Sequence, residues 1–582
     1  MRKIFTLFIT FWIVGNISAQ VVTVSPSFPK VTDEITLTFD VTQSSDGRSE
    51  GLLGLTDDVF LWSGAGDDTD AFIFGPEGQT DFNVPFTPGT MTSLGDDLWS
   101  ITLTPKDYYS IPDEANVTRL GLLLKNGDGS AQTEDVFIEI FEEGGLNISI
   151  LSPQTGTFYD VDEMVRVEAE ASEVSDFSFT VNGISQGAPI NGTSAFIDIM
   201  VNEPQLDIVV TADNGQTTAK DSIRLLQRPM SPTAELPANV MDGINYIDNN
   251  TIIFVLAAPD KNFAYLTGEF SDWQLTNDLL MNKTPDGQRF WVQLDGLTPN
   301  VEYAFQYWVY DNDENLVRTG DPYAEIILDP NNDRFISDDI YPNLKLYPDG
   351  AQEIVSLFET GQEDYVFQTT DFERPAPEDL VVYELLIRDF DEAGSFQSVI
   401  DRIDYIADLG VNAIELMPIM EFSGNISWGY NTIYHTAVDK SYGTRDKLKE
   451  LIDVAHSRGM AVILDIVFNH ADFASPLVKM YFDPDAGQFG RPSVNNPWCN
   501  PVATHPFSVF ADFNHDSELL RQFIDRVNRY WIEEFKVDGF RYDLSKGFTQ
   551  NFTTDVGAWN ALDNSRVSNL VRMLEEVRTY DE

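Results

Sequence analysis

The chain has 582 residues, and 94 Asp+Glu against 36 Lys+Arg leave a formal net charge of −58. Hydrophobic residues make up 42% and aromatics 12%, enough for several packed cores and unlike a disordered acidic tail. So acidic a surface repels phosphate backbones and excludes nucleic acid as a partner, while the single cysteine, Cys499, excludes a disulfide framework and any cysteine-cluster metal site.

Arg2 and Lys3 precede an apolar run from Ile4 to Val14, and Ile17-Ser18-Ala19 offers a small-residue cleavage site. This predicts a signal peptide over 1–19 and a protein that is secreted, periplasmic or held at the cell surface. The run is shorter than the ~20 residues a spanning helix needs, so no transmembrane segment is expected. Residues 20–147 carry alternating runs such as "ITLTFDV" (35–41), "DVFLWSG" (58–64) and "LWSITLT" (98–104), broken by Gly, Asp and Pro. They predict a β-sandwich of unknown role. Residues 148–229 repeat the style in a smaller unit, with turn signals every 8–12 residues that predict an immunoglobulin-like sandwich. Three prolines in 225–240 mark a linker, and 241–350 form a third β unit.

From Leu380 the pattern changes. Continuous apolar strands ("LVVYELLIRDF", "VNAIELMPI", "MAVILDIVFNH", "KVDGFRYD") alternate with amphipathic helices over 395–410, 445–459 and 517–535. That alternation predicts a parallel sheet of βα units over 371–582, with a loop insertion at about 471–515. All five histidines (435, 456, 470, 505, 515) fall in this part. Residues 1–370 carry 17 basic and 59 acidic side chains, and 371–582 carry 19 and 35, so most of the acid belongs to the upstream sandwiches. That acid is a solvated surface that keeps the protein soluble.

Asp465, Asn469 and His470 close the third βα strand; Arg541 and Asp543 close the fourth; Trp428 and Tyr430 lie in the loop after the second. Barrel and open-sheet enzymes build their sites on this rim. Carboxylates, an arginine, a histidine and aromatic faces suit sugar chemistry, because rings stack on pyranoses and carboxylates attack the anomeric carbon or move protons.

"DIVFNH" (465–470), "GFRYD" (539–543), "WGYN" (428–431) with "YG" (442–443), "GVNAIELMPI" (410–419) and "YELLIRDF" (383–390) resemble, in order, the motifs of glycoside hydrolase family 13, the α-amylase family. The resemblance implies multidomain architecture ending in a (β/α)8 TIM barrel and a retaining mechanism on α-glucans. It makes Asp543 the nucleophile and Arg541 its orienting partner. It makes His470 a sugar-binding histidine, Tyr430 a stacking platform, Asp465 a supporting carboxylate and Trp428 a further substrate contact. Lys546 matches a lysine found after the nucleophile, and Gly547 stands where many members have histidine. Asn469 matches a position that binds calcium in some members, so calcium is the one cofactor implied. "YLTGEFSDWQ" (265–274), "FWVQLDGL" (290–297), "YAFQYWV" (303–309) and "DPYA" (321–324) resemble a family 48 carbohydrate-binding module, with Trp273 expected in its core.

The family places its general acid at the end of a fifth strand and a second aspartate at the end of a seventh. The sequence shows four strand signals, so a C-terminally truncated barrel, lacking the acid and inactive as it stands, is expected. The function implied is an exported amylase- or neopullulanase-like hydrolase of α-1,4 or α-1,6 glucosidic bonds. A non-catalytic starch-binding surface protein and a transglycosylase or branching enzyme are the alternatives.

Overall fold

A computed structural model describes residues 21–581 apart from 45, 68–69, 142–143, 154–157, 313–314, 485 and 488–489. The expected signal segment, 1–19, falls outside the described residues. The chain divides into two units, Met1–Arg228 and Pro229–Glu582.

In the first unit, Ile35–Asp40 buries Ile35, Leu37 and Phe39 and leaves the intervening threonines half-buried. A two-residue period does this when one sheet face meets a core. This strand sits in a four-stranded sheet with Val22–Ser25, Leu98–Leu103 and Thr92–Gly95. A three-stranded sheet of Val59–Gly66, Arg119–Asn126 and Val136–Glu139 shares its core, through Leu61, Leu120, Leu122 and Leu124. Each such side chain contributes about 1.5–3 kcal/mol on burial. Further on, one 19-residue strand, Glu163–Val181, pairs with Ile190–Val201 and with Gln205–Asp213, with a register shift between Glu170 and Ser175.

The second unit opens with two more antiparallel sheets. One is Gly243–Asp248, Thr251–Ala257, Arg289–Leu294 and Asn282–Lys283; the other centres on Phe263–Gly268, Glu302–Tyr310 and Val355–Glu359. Trp273 is buried against Leu328, Val355 and Leu357. Trp291 donates to the Ala234 carbonyl, and Trp308 lies beneath the Arg318 guanidinium.

Four strands then pair in parallel and in chain order: Val382–Leu385, Ala413–Leu416, Ala461–Ile466 and Gly539–Tyr542. Helices lie between them, so every C-terminal strand end faces the same rim. The helix expected over 395–410 is two, Phe396–Asp401 and Ile403–Asp408, broken at Arg402. Phe396, Val399, Ile403 and Ile406 stay buried across the break. The first strand is also shorter than its apolar run, because Ile387–Phe390 turns into a helical segment. Glu518–Phe535 is capped by the Ser517 side chain, which accepts from the Leu520 N–H, and ends at Lys536 in the left-handed region. Its apolar stripe, Leu520, Phe523, Ile524, Val527 and Trp531, returns the chain to the sheet for the fourth strand. The insertion at 471–515 is not all loop. His470–Ala471 pairs antiparallel with Ala511–Asp512, so the insertion leaves and rejoins the rim through a two-strand neck. Among the described residues no helix is long and apolar enough to cross a membrane.

Candidate active site

Asp465 and Arg541 are register partners on neighbouring parallel strands. The Arg541 Nη1 group donates to Asp465 Oδ1 at 2.8 Å and Oδ2 at 3.0 Å, and to Asp543 Oδ1 at 2.7 Å. One guanidinium nitrogen thus joins two carboxylates. Asp543 continues the strand, its N–H donating to the Ile466 carbonyl at 3.0 Å. The Asp465 side chain is fully enclosed, while Arg541 is 43% and Asp543 20% exposed. Burial pushes Asp465 up to about 6, against the pull of Tyr430 and Arg541. Burial opposes the Arg541 charge, but hydrogen bonds to the two carboxylates outweigh it and raise its pKa.

Tyr430 donates its hydroxyl to Asp465 Oδ2 at 2.7 Å, which aims the ring from the loop after the second strand. Burial first, then Asp465, raises the phenol's pKa. Gly429 makes this loop possible: its φ is +91°, and a Cβ there would lie 2.4 Å from the Pro418 carbonyl oxygen. Trp428 stands 60% exposed beside it. His470 is buried, and burial lowers its pKa. Its Nε2 meets the Tyr430 carbonyl at 2.8 Å, and its Nδ1 meets Asn469 Nδ2 at 3.2 Å. Both ring nitrogens are therefore held by protein groups. Its ring also stacks on Phe510, which the insertion holds at a φ of +49°.

Lys546 follows Asp543 and donates to Asn560 Oδ1 at 2.7 Å, lying over the Trp559 ring. Asn469 is the position at which the resemblance implies calcium. Its Oδ1 is engaged by His505 Nε2 at 3.1 Å, and no group of three or more His, Cys, Asp or Glu side chains among the described residues could hold a metal ion. No chemical step is routed through calcium. Sequence reasoning missed His505, Phe510 and Trp559. The aromatic density of "HPFSVFADF" (505–513) was the one signal available for the first two.

Residues 359–479 match the family model described as "Alpha amylase, catalytic domain". That stretch is similar to the catalytic domain of the α-amylase family. The chain is 37% identical over 243 residues to a malto-oligosyltrehalose trehalohydrolase from Saccharolobus solfataricus, covering 40% of this chain and 38% of that protein. It is 32% identical over 184 residues to a maltogenic α-amylase from Bacillus acidopullulyticus, covering 28% and 30%. A pullulanase structure from Paenibacillus barengoltzii aligns over 59% of this chain and 52% of that one, with a TM-score of 0.44 and 18% identity, too loose a likeness to carry weight. The chain spans 38% of the length of the trehalohydrolase and 30% of the length of the maltogenic amylase.

Proposed function

We infer that this chain carries the nucleophile of an exported α-glucan-active hydrolase that cleaves α-1,4 or α-1,6 glucosidic bonds with retention. The observation that carries this reading is the Arg541 bridge between Asp465 and Asp543, on adjacent parallel strand ends, with Asp465 inside the stretch similar to the α-amylase catalytic domain. Export rests on the sequence of residues 1–19 alone.

In this reading Asp543 attacks the anomeric carbon and forms a covalent glycosyl intermediate. Arg541 donates to one oxygen of that carboxylate, leaving the other for attack. Asp465 cannot reach substrate, since it is enclosed; it holds Arg541 from behind and Tyr430 from the side. Tyr430 and Trp428 present aromatic faces to the sugar, and Lys546, held by Asn560 over the Trp559 ring, follows the nucleophile. Cleavage also needs an acid to protonate the departing oxygen, which the family resemblance puts at the end of a fifth strand; among the described residues the parallel sheet has four. The test is Asp543→Asn in the full product of the gene, assayed for reducing-sugar release from starch and pullulan. Loss of release with the fold kept supports the assignment, and retained release refutes it.

A further inference from the structure

Gly547 and His505 are distant in the chain and adjacent in space. A Cβ on Gly547 would lie 1.7 Å from Asn469 Oδ1 and 2.7 Å from His505 Nε2. The room that a side chain at 547 would claim is therefore filled by the Asn469–His505 pair. The insertion delivers His505 to this place, and its side chain is wholly enclosed.

From His505 a line of polar contacts runs to the rim. His505 Nε2 lies 3.1 Å from Asn469 Oδ1 and 3.2 Å from Asp512 Oδ1. Asn469 Nδ2 lies 3.2 Å from His470 Nδ1, and His470 Nε2 lies 2.8 Å from the Tyr430 carbonyl oxygen. Tyr430 in turn holds Asp465. The direction of the protons along this line follows from its two ends. The Tyr430 carbonyl can only accept, so His470 Nε2 carries a proton; Asp512 and Asn469 Oδ1 both flank His505 Nε2, so that nitrogen carries one too. With Asn469 turned over, its oxygen would face the bare His470 Nδ1 and its amide hydrogens would face the His505 N–H, in a buried place. One amide orientation gives each histidine a matched partner on Asn469. The other satisfies neither histidine.

We propose that His505 is a positioning residue for this site: by donating to Asn469 Oδ1 it fixes that amide, and through it holds His470 as the neutral Nε2–H tautomer, anchored on the Tyr430 backbone. Gly547 is the position that gives this pair its room. The proposal rests on the hydrolase reading only in taking His470 and Tyr430 to line the sugar subsite. A histidine's tautomer is set by what its other nitrogen meets, so the consequence reaches a group two hydrogen bonds away.

The experiment is two-bond 1H–15N spectroscopy of the histidine-labelled chain without substrate. The wild-type spectrum is expected to show His470 protonated at Nε2 and bare at Nδ1. Asn469→Asp has the same shape but offers an acceptor to both rings; His470 should then gain a proton at Nδ1 and show the doubly protonated pattern. His505→Phe keeps a ring in the space but removes the donor; the single Nε2–H pattern of His470 should be lost to a mixture of tautomers. His505→Gln, which supplies an amide N–H, should restore it. A His470 pattern unchanged in a folded His505→Phe overturns the proposal, and so does one unchanged in Asn469→Asp. Should His505→Phe lose its near-ultraviolet dichroism, the isosteric Asn469→Asp spectrum decides alone. No turnover is measured, so failure here and failure of the hydrolase assignment are separate results.

Discussion

Lys440 and Arg541 each sit between two carboxylates in the second unit. Lys440 Nζ lies 2.6 Å from Glu421 Oε1 and 3.3 Å from Asp333 Oδ1. Arg541 Nη1 lies 2.8 Å from Asp465 and 2.7 Å from Asp543. The ingredients match, and the surroundings do not. The lysine and both its partners are closed off, so burial opposes the ammonium charge while Glu421 and Asp333 outweigh it and raise its pKa. That cluster ties the third β unit, through Asp333, to the segment that follows the second parallel strand, through Glu421 and Lys440. Around Arg541 only Asp465 is closed off, and Asp543 reaches solvent. A cation between two carboxylates is a brace when all three are enclosed. It can be a catalytic device when one carboxylate stands at an open strand end.

The sharpest break in this comparison is Asp543→Asn. In the full product of the gene it should lower turnover of starch or pullulan by roughly 10⁴-fold or more, while shifting the unfolding free energy by no more than about 0.5 kcal/mol. Lys440→Met should do the opposite. It strands two buried carboxylates, and denaturant unfolding should register a loss of about 3–5 kcal/mol; a loss below about 1 kcal/mol would show that the cluster is not a brace.

A third carboxylate sharpens the contrast, because Asp321 is enclosed and held by neutral donors. The Tyr307 hydroxyl donates to it at 2.7 Å and the Tyr323 N–H at 2.8 Å, yet burial outweighs these and pushes it up to about 6 from 3.8. The folded state therefore holds this proton more tightly than the unfolded state. Its contribution to stability is complete below about pH 4 and is lost as pH rises towards 6. At about 1.36 kcal/mol per pKa unit, the stability of the wild type relative to Asp321→Asn should fall by about 3 kcal/mol across that window. A difference that stays flat between about pH 4 and 6 would contradict the enclosure. Trp428→Ala should have the smallest effect. Stability should hold to within about 0.5 kcal/mol, and maltooligosaccharide binding by calorimetry should weaken by roughly three- to tenfold, the worth of one aromatic contact.

Much of the site was legible because its residues lie at the ends of strands whose apolar runs are local signals. Asp465, Asn469 and His470 follow one run; Arg541 and Asp543 close another. Parallel order then brings both ends to one rim, and the structure sets Asp465 against Arg541 as register partners. Local pattern also placed the capped helices at 445–459 and 517–535 to within two residues. It failed at Arg402, where an unbroken apolar stripe concealed a backbone break. It failed also at the insertion, which has no sustained period to read.

The sequence by itself determined the alternation of strand and helix and which polar residues stand at the strand ends, Asp465, Arg541 and Asp543 among them. Those features follow from periods of about 2 and 3.6 residues and from motifs a few residues long. Tertiary structure alone decided that Asn469 faces His505, that the pair fills the space a side chain at 547 would take, and that Lys440 is enclosed between its carboxylates while Arg541 and Asp543 reach solvent. Each of these depends on where a distant segment returns, and on whether it shuts water out when it does.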